Sequence, residues 1–135
     1  MRLETVFGLE GRTALVTGSS RGIGAAIAEG LAGAGAHVIL HGTKPGGAAA
    51  VQERISSSGG TAQELAADLS AQGAGRNLIE RAEAIAPVDI LVINASAQIN
   101  ATLADLTPDD LAFQLSVNLG SVSYTHLTLP TILRV

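Results

Sequence analysis

The sequence predicts a three-layer α/β fold, in which helices cover both faces of a doubly wound parallel sheet of about four strands. Apolar segments typical of strands alternate four times with segments of helical periodicity. The segment Asp89 to Ile93 is almost continuously apolar, as expected of a parallel strand covered on both faces. Glycine contributes 16 of the 135 residues, so the chain is expected to turn tightly, or to approach something closely, in several places.

The first predicted strand is Thr13 to Thr17, a short apolar segment between Gly11 and Gly18. A helix is predicted after the glycine-rich loop that follows. Its apolar residues recur every four positions, which predicts that they form the buried face. These residues are Ile23, Ile27 and Leu31.

The next strand–helix unit is predicted from a second apolar segment, His37 to His41. Pro45 is expected to open a helix, because proline is well tolerated in the first turn. Val51 and Ile55 supply the inner face of that helix. A weaker third strand is predicted at Thr61 to Leu65.

Two further helices are predicted from periodicity, one on each side of the strand at residues 89–93. Leu78, Ala82 and Ile85 mark the first of these helices, and Leu111, Leu115 and Leu119 continue the second. The segment Thr107-Pro108-Asp109-Asp110 starts the second helix, with a threonine cap, proline at the first position and acids facing the helix dipole. Residues 1–121 are therefore expected to belong to one domain.

Composition excludes several classes of protein. Eight basic residues against 12 acidic ones give a net charge of −4, whereas a nucleic-acid-binding protein needs a basic face. The chain has no cysteine, which excludes disulfides and thiolate sites. Its three histidines have no metal-ligand spacing, so no metal site is predicted. We expect no signal peptide, because no basic segment followed by an apolar run opens the chain. We expect no membrane span, because Glu29 and His37 interrupt the most apolar stretch. A cytoplasmic location is the default expectation.

A glycine-rich loop lies between the first strand and the first helix, in the order Gly18-Ser19-Ser20-Arg21-Gly22-Ile23-Gly24. Gly18 permits a sharp turn, Gly22 leaves room for a diphosphate against the backbone, and Gly24 lets the helix pack closely on the strand. The helix N-terminus then faces the anion. This context predicts a Rossmann-type dinucleotide site, the alternative being a glycine-rich turn that binds no ligand.

The loop spacing, preceded by Thr17, resembles that of the classical short-chain dehydrogenase/reductase family. Three further elements match in order. Asp68, followed by Leu69, resembles the acid that hydrogen-bonds the adenine ring, although alone it could be a helix-capping residue. Asn94-Ala95-Ser96 resembles the family's Asn-Asn-Ala-Gly element, with Ile93 in place of the first asparagine and Ser96 in place of the glycine. Asn118 resembles the catalytic-tetrad asparagine, which helps to hold a proton-relay water, although alone it could be an ordinary polar helix residue.

The resemblance implies an oxidoreductase that transfers hydride between NADP(H) and a carbonyl or secondary alcohol, as a dimer or tetramer of identical chains. The opening segment, residues 7–12, resembles gluconate-type dehydrogenases and 3-oxoacyl reductases. A non-catalytic nucleotide-binding or regulatory module with the same fold is the alternative. The implied catalytic residue is Asn118. The implied cofactor-binding residues are Gly18, Ser20, Arg21, Gly22, Ile23, Gly24, Thr43, Asp68, Leu69, Asn94 and Ala95.

Charge favours NADP(H) over NAD(H). An NAD-preferring site carries a carboxylate at the end of the second strand, whereas this chain reads His41-Gly42-Thr43-Lys44 there. No acid in that segment would repel a 2′-phosphate. Arg21 matches a basic residue of NADP-preferring family members, and with Thr43 it could bind the phosphate by charge-assisted hydrogen bonds. The alternative is that Arg21 is simply a solvated loop cation.

The family's chemistry also requires a serine and a Tyr-x-x-x-Lys pair. The only tyrosine is Tyr124, and Thr128 rather than lysine stands four residues later. Residues 122–131 resemble one reading frame of a transposase-type sequencing-library adapter, so we expect a non-native tail over residues 122–135 and a truncated parent protein. The alternative is an unusual natural C-terminus. The isolated chain is expected to be inactive and poorly soluble, because truncation exposes an apolar strand edge.

Overall fold

The computed structural model describes residues 6–121 and Ser123. Its strands form one sheet in which all pairings are parallel. The strands are β1 (Thr13–Val16), β2 (His37–Gly42), β3 (Thr61–Ala66) and β4 (Ile90–Val92). They lie in the order β3-β2-β1-β4, and the β1–β2 register places Thr13 opposite His37. The chain thus moves outward from β1 to β3 and then crosses back to add β4 on the other side of β1.

Helices cover both faces of this sheet. They are α1 (Gly22–Gly33), α2 (Ala49–Ser57), α3 (Ala74–Ile85) and α4 (Pro108–Leu115), and α4 continues directly into a π-helical turn, Ser116–Gly120. One core cluster joins α1 and α2 to the sheet. A second joins α3 and the π-helical turn to the opposite face. The predicted three-layer, doubly wound Rossmann-type architecture is therefore confirmed.

The buried face of α1 differs from the predicted one. Ile23 is 74% exposed, and Ile27 and Leu31 are only partly buried. The residues that face the sheet are all small, namely Gly24, Ala25, Ala28 and Ala32. Small residues allow the helix to lie close to the strands, so Ile27 and Leu31 pack against the margin of this core and Ile23 points away from it.

Helix α2 begins later than predicted, at Ala49 rather than at Pro45. The carboxylate of Glu64 on β3 explains the delay, because its two oxygens accept hydrogen bonds from the backbone N–H groups of Gly46 (3.1 Å) and Ala48 (2.9 Å). This holds the residues before the helix in turns. The predicted inner residues Val51 and Ile55 are buried, as expected.

Strand β4 is shorter than the predicted segment, and its three residues are half-buried rather than fully covered. Within the described residues it pairs only with β1, so one edge lacks a neighbouring strand, and Ile93 is 39% exposed. Its start is tied to β1 by Asp89, which accepts hydrogen bonds from the Thr13 N–H (2.9 Å) and the Arg12 guanidinium (3.1 Å).

The start of α4 follows the prediction. Thr107 Oγ1 accepts from the Asp110 N–H at 3.2 Å, and the Asp110 carboxylate accepts from the Thr107 N–H at 2.9 Å, which forms a capping box. The Thr107 side chain and then its backbone lower the pKa of Asp110 by hydrogen bonding. Val117 is the buried residue of α4 and the π-helical turn. The residues that are exposed instead are Leu111, Leu115 and Leu119.

A leucine-to-alanine pair tests where the core lies. Leu78 is fully buried between α3 and the sheet, whereas Leu103 is 92% exposed. Leu78→Ala should lower the free energy of unfolding by about 2–5 kcal/mol, while Leu103→Ala should change it by less than about 0.5 kcal/mol. Urea unfolding of the full chain measures both. Equal losses from the two variants would contradict the assigned core.

Candidate functional site

A cleft of ≈ 570 Å³ opens at the carboxyl ends of β1, β2 and β4. It lies where the chain order of the strands reverses, which is the position at which open α/β sheets bind ligands. All the predicted cofactor-binding residues except Gly24 line it. These residues are Gly18, Ser20, Arg21, Gly22, Ile23, Thr43, Asp68, Leu69, Asn94 and Ala95.

The three glycines of the loop have distinct roles. Gly18 has φ +65°, and a Cβ there would lie 2.8 Å from the Cα of Ala95. Gly22 has φ +59° but open space around it, as expected where a ligand approaches the backbone. A Cβ on Gly24 would lie 2.5 Å from Nδ2 of Asn94 and would also overlap the Gly18 carbonyl. Gly24 therefore allows α1 to pack on the loop and on the segment after β4, whereas the sequence predicted packing on the strand.

The N-terminus of α1 opens onto this cleft without a side-chain cap. Arg21 is its N-cap residue and makes no capping hydrogen bond, and the first turn carries no acidic residue. The first N–H groups of a helix have no partner within the helix and carry a partial positive charge. The site can therefore attract an anion.

Asn94 and Thr17 join the loop to the end of β4. Thr17 Oγ1 accepts hydrogen bonds from the N–H groups of Asn94 (3.0 Å) and Ala95 (3.1 Å). In return, Nδ2 of Asn94 donates to the carbonyl oxygens of Thr17 (3.2 Å) and Gly18 (3.1 Å). Asn94 thus bonds backbone groups at the cleft even though Ile93 and Ser96 depart from the family pattern.

His41 also lines the cleft, although it was not predicted from the sequence as a site residue. It is 3% exposed, and its Nδ1 accepts a hydrogen bond from the Gly18 N–H at 3.0 Å, while Nε2 lies 2.9 Å from the Ala67 carbonyl oxygen. Burial lowers the pKa of His41, against the raising effect of the Ala67 hydrogen bond. The available signal in the sequence was a histidine near the end of the second strand, β2.

Ser19 completes the connection between the loop and β2. Its Oγ accepts from the His41 N–H at 2.9 Å, and its own N–H donates to the His41 carbonyl at 3.0 Å. Ser19 is fully buried, which explains why it belongs to the structural support of the loop rather than to the lining of the cleft.

Asp68 lies at the cleft but does not cap a helix, since the N-cap residue of α3 is Gly73. One of its carboxylate oxygens accepts from the Ser70 N–H (3.0 Å) and the Ser70 hydroxyl (2.6 Å). These two hydrogen bonds, the side-chain one first, lower the pKa of Asp68. Asp68 is thus an ionised carboxylate that stabilises its own turn and borders the cleft beside Leu69.

Asn118 lies in the π-helical turn, outside the lining of the cleft. Its Oδ1 accepts from the Ala97 N–H at 2.7 Å, and its Nδ2 donates to the Ala97 carbonyl at 2.8 Å. These bonds fix the segment that follows Asn94. π-Helical turns inside helices frequently occur at functional sites.

The charges around the end of β2 differ in one respect from the expectation. Thr43 and Lys44 are exposed, and Arg21 forms no ion pair within residues 6–121. Residues 41–44 contain no acid, but Glu64 on β3 reaches the loop that follows them. Its two oxygens bond backbone N–H groups, so the carboxylate is committed to holding that loop.

Other kinds of site were also sought. No group of three or more His, Asp or Glu side chains suited to a metal occurs in the part of the chain that the structure describes. Across that same part, none of the helices has the length and apolar character needed to cross a bilayer.

A glycine-to-alanine pair on one helix tests the close approach at the loop. Gly24→Ala should lower the free energy of unfolding by about 1–3 kcal/mol, because the new methyl group meets backbone that must shift. Gly30→Ala has nothing within 4 Å of the new Cβ and should raise stability by up to about 1 kcal/mol through helix propensity. Urea unfolding of both variants is the measurement, and effects of the same sign would contradict the geometry.

Comparison with known proteins shows the family of the chain. The model of the short chain dehydrogenase family matches residues 12–134. A 3-oxoacyl (acyl-carrier-protein) reductase from Agrobacterium tumefaciens, solved with NADP bound, is 80% identical; the match has a TM-score of 0.92 and covers 96% of this chain and 50% of that one. A short chain dehydrogenase from Burkholderia cenocepacia in complex with NADP is 44% identical, with a TM-score of 0.80 and coverage of 87% and 49%.

Among curated proteins, gluconate 5-dehydrogenase of Gluconobacter oxydans is 37% identical over 122 residues, which are 88% of this chain and 47% of the relative. The chain thus spans about half the length of the relatives that it matches. The resemblance to the short-chain dehydrogenase/reductase family is confirmed. This chain belongs to the short-chain dehydrogenase family.

Proposed function

We propose that this chain is the cofactor-binding half of an oxidoreductase that acts on a CH–OH group or the corresponding carbonyl of a small molecule, with NADP(H) as cofactor. The observation that carries the proposal is the cleft at the carboxyl end of the sheet, where a glycine loop and an uncapped helix N-terminus meet. We further propose a homo-oligomer, dimer or tetramer, in the cytoplasm.

The residues of the cleft fit a dinucleotide. A side chain at Gly18 would meet backbone, whereas the space beside Gly22 is open, so the loop leaves its amides accessible to a diphosphate. In the proposed arrangement the loop and the α1 N-terminus bind the diphosphate. Asp68 and Leu69 face the adenine, and Asn94 and Ala95 face the nicotinamide side. A bound nicotinamide supplies or accepts the hydride.

Asn118 acts in this proposal by positioning. Both atoms of its side-chain amide are bonded to Ala97, so it fixes the segment that carries Asn94 and Ala95 at the nicotinamide side. A role in holding a proton-relay water, as the family resemblance implies, would use this fixed geometry. The amide oxygen and the amide nitrogen of Asn118 each already make one hydrogen bond.

Proton transfer to the substrate oxygen needs a general acid or base, which in the family is the tyrosine of a Tyr-x-x-x-Lys pattern. This sequence does not contain that pattern. Its only tyrosine, Tyr124, lies outside the described residues and is followed four positions later by Thr128 instead of lysine. A parent sequence with a serine and Tyr-x-x-x-Lys favours the enzyme. A parent sequence without them favours the alternative, a nucleotide-binding module.

The preference for NADP(H) rests on charge. Arg21 and Thr43 both line the cleft, and a guanidinium binds a phosphate through charge-assisted hydrogen bonds. Structural relatives solved with NADP include the proteins from Agrobacterium tumefaciens and Burkholderia cenocepacia. We propose that Arg21, assisted by Thr43, recognises the 2′-phosphate that distinguishes NADP(H) from NAD(H).

An arginine-to-alanine pair tests this preference. Arg21→Ala should weaken NADP⁺ binding by about tenfold, the effect of losing a charged hydrogen bond of about 1.5 kcal/mol, and should leave NAD⁺ binding nearly unchanged. Arg76→Ala, an exposed arginine on α3 outside the cleft, is the matched control and should alter neither. Calorimetric titration of the full chain gives the four affinities. Equal wild-type affinity for the two nucleotides would overturn the preference.

The isolated 135-residue chain should show no turnover. In the presence of a saturating concentration of a carbonyl substrate, NADPH absorbance should fall no faster than in the protein-free control. The reason is that the general acid of the family's pattern is absent. A substrate-dependent decrease in absorbance would refute this and would point to a different proton donor within the chain.

A further inference from the structure

We propose that His41 is a positioning residue of the nucleotide site, whose neutral imidazole ties the glycine loop to the turn after β3. This inference rests on the proposed nucleotide binding. Its basis is geometric, since one buried ring bonds Gly18 on one side and Ala67 on the other. Gly18 belongs to the proposed diphosphate loop, and Ala67 directly precedes Asp68 at the proposed adenine side, so a single side chain fixes the spacing of two walls of the cleft.

The two hydrogen bonds determine which ring nitrogen carries the proton. The Gly18 N–H can only donate, so Nδ1 must be an unprotonated acceptor. The Ala67 carbonyl can only accept, so Nε2 must carry the hydrogen. His41 is therefore a neutral imidazole in one tautomer. Neither a cation nor the other tautomer satisfies both partners.

The backbone of His41 reinforces the same connection. Its N–H and C=O are both bonded to Ser19, and its ring bonds the N–H of the residue before Ser19, Gly18. Because Gly18 also packs against Ala95, a displaced Gly18 would disturb the side of the cleft formed by the segment after β4.

Among the charged groups around the ring, Arg81 favours the neutral form of His41. Arg81 on α3 donates to the Ala66 carbonyl at 2.8 Å, and its positive charge lowers the pKa of His41 in the same direction as burial. Beyond β3, Asp68 is bonded to Ser70. Glu64 of β3 is directed to the loop before α2 and hence to the opposite face of the sheet. No charged residue occurs in β1.

Protonation of Nδ1 would place an N–H against the Gly18 N–H. The acceptor would be lost and two donors would face each other, so the loop would leave its position. Since the folded-state pKa lies below the ordinary value of 6.5, the stabilisation by neutral His41 is complete above that value. It is lost as the pH falls through the lower, folded-state pKa.

Two variants separate the two hydrogen bonds. Asparagine can place its amide oxygen where Nδ1 lies and keep an acceptor for Gly18, whereas glutamine can reach Ala67 with its amide nitrogen. Calorimetric titration of the full chain with NADP⁺ at about pH 8 should show His41→Asn binding about threefold to fivefold more weakly than wild type, because its connection to the Ala67 carbonyl is lost. His41→Gln should bind about tenfold more weakly, because a backbone donor is left without its acceptor. Thermal unfolding verifies that both variants are folded.

The pH profile separates positioning from a purely structural role. The wild-type affinity should fall more steeply than that of His41→Asn between about pH 8 and about pH 5, because only the wild type protonates at this position. Titration of the nucleotide itself is common to both proteins and cancels in their ratio. Parallel profiles, or two variants that bind as well as wild type, would overturn the role of His41. Failure of wild type to bind NADP⁺ at any pH would overturn the proposed function instead.

Discussion

The structure depends on a close approach of backbone to backbone at one end of the sheet. The loop after β1, the first turn of α1 and the segment after β4 meet where Gly18, Gly24 and Ala95 lie, and a single additional methyl group at either glycine would meet main-chain atoms. The approach is possible because α1 presents only small residues to the sheet. Beside Gly22, in contrast, an added Cβ would meet nothing within 4 Å, so the cleft is open there.

Polar side chains stabilise this approach by satisfying backbone groups that the loop leaves without partners. Thr17, His41 and Asn94 each bond two or more backbone groups of neighbouring segments. None of the buried side-chain nitrogen or oxygen atoms in the described residues lacks a hydrogen-bond partner. Because unsatisfied buried polar groups are costly, this network favours one arrangement of the loop. The binding surface is therefore set by residues behind it as much as by those that line it.

Much of the fold could be predicted because local signals agreed with the tertiary structure. The alternation of elements, the start of α4 at Thr107 and the buried Val51 and Ile55 followed from the sequence. The buried face of α1 could not, since periodicity cannot show that a helix with small residues will turn those residues inward. The role of Glu64 required knowing that β3 lies beside β2. His41 was missed for the same reason, because its partners are 23 and 26 residues away.

The alanine-and-glycine contact of α1 makes the two halves of the core respond differently to sequence change. On the side of α3, large residues such as Leu78 and Ile79 fill the space, and shortening them opens cavities. At the contact of α1 itself the buried residues are glycine and alanine, so a larger replacement there adds atoms and pushes the layers apart. Variation at these helix positions is therefore restricted to residues no larger than alanine.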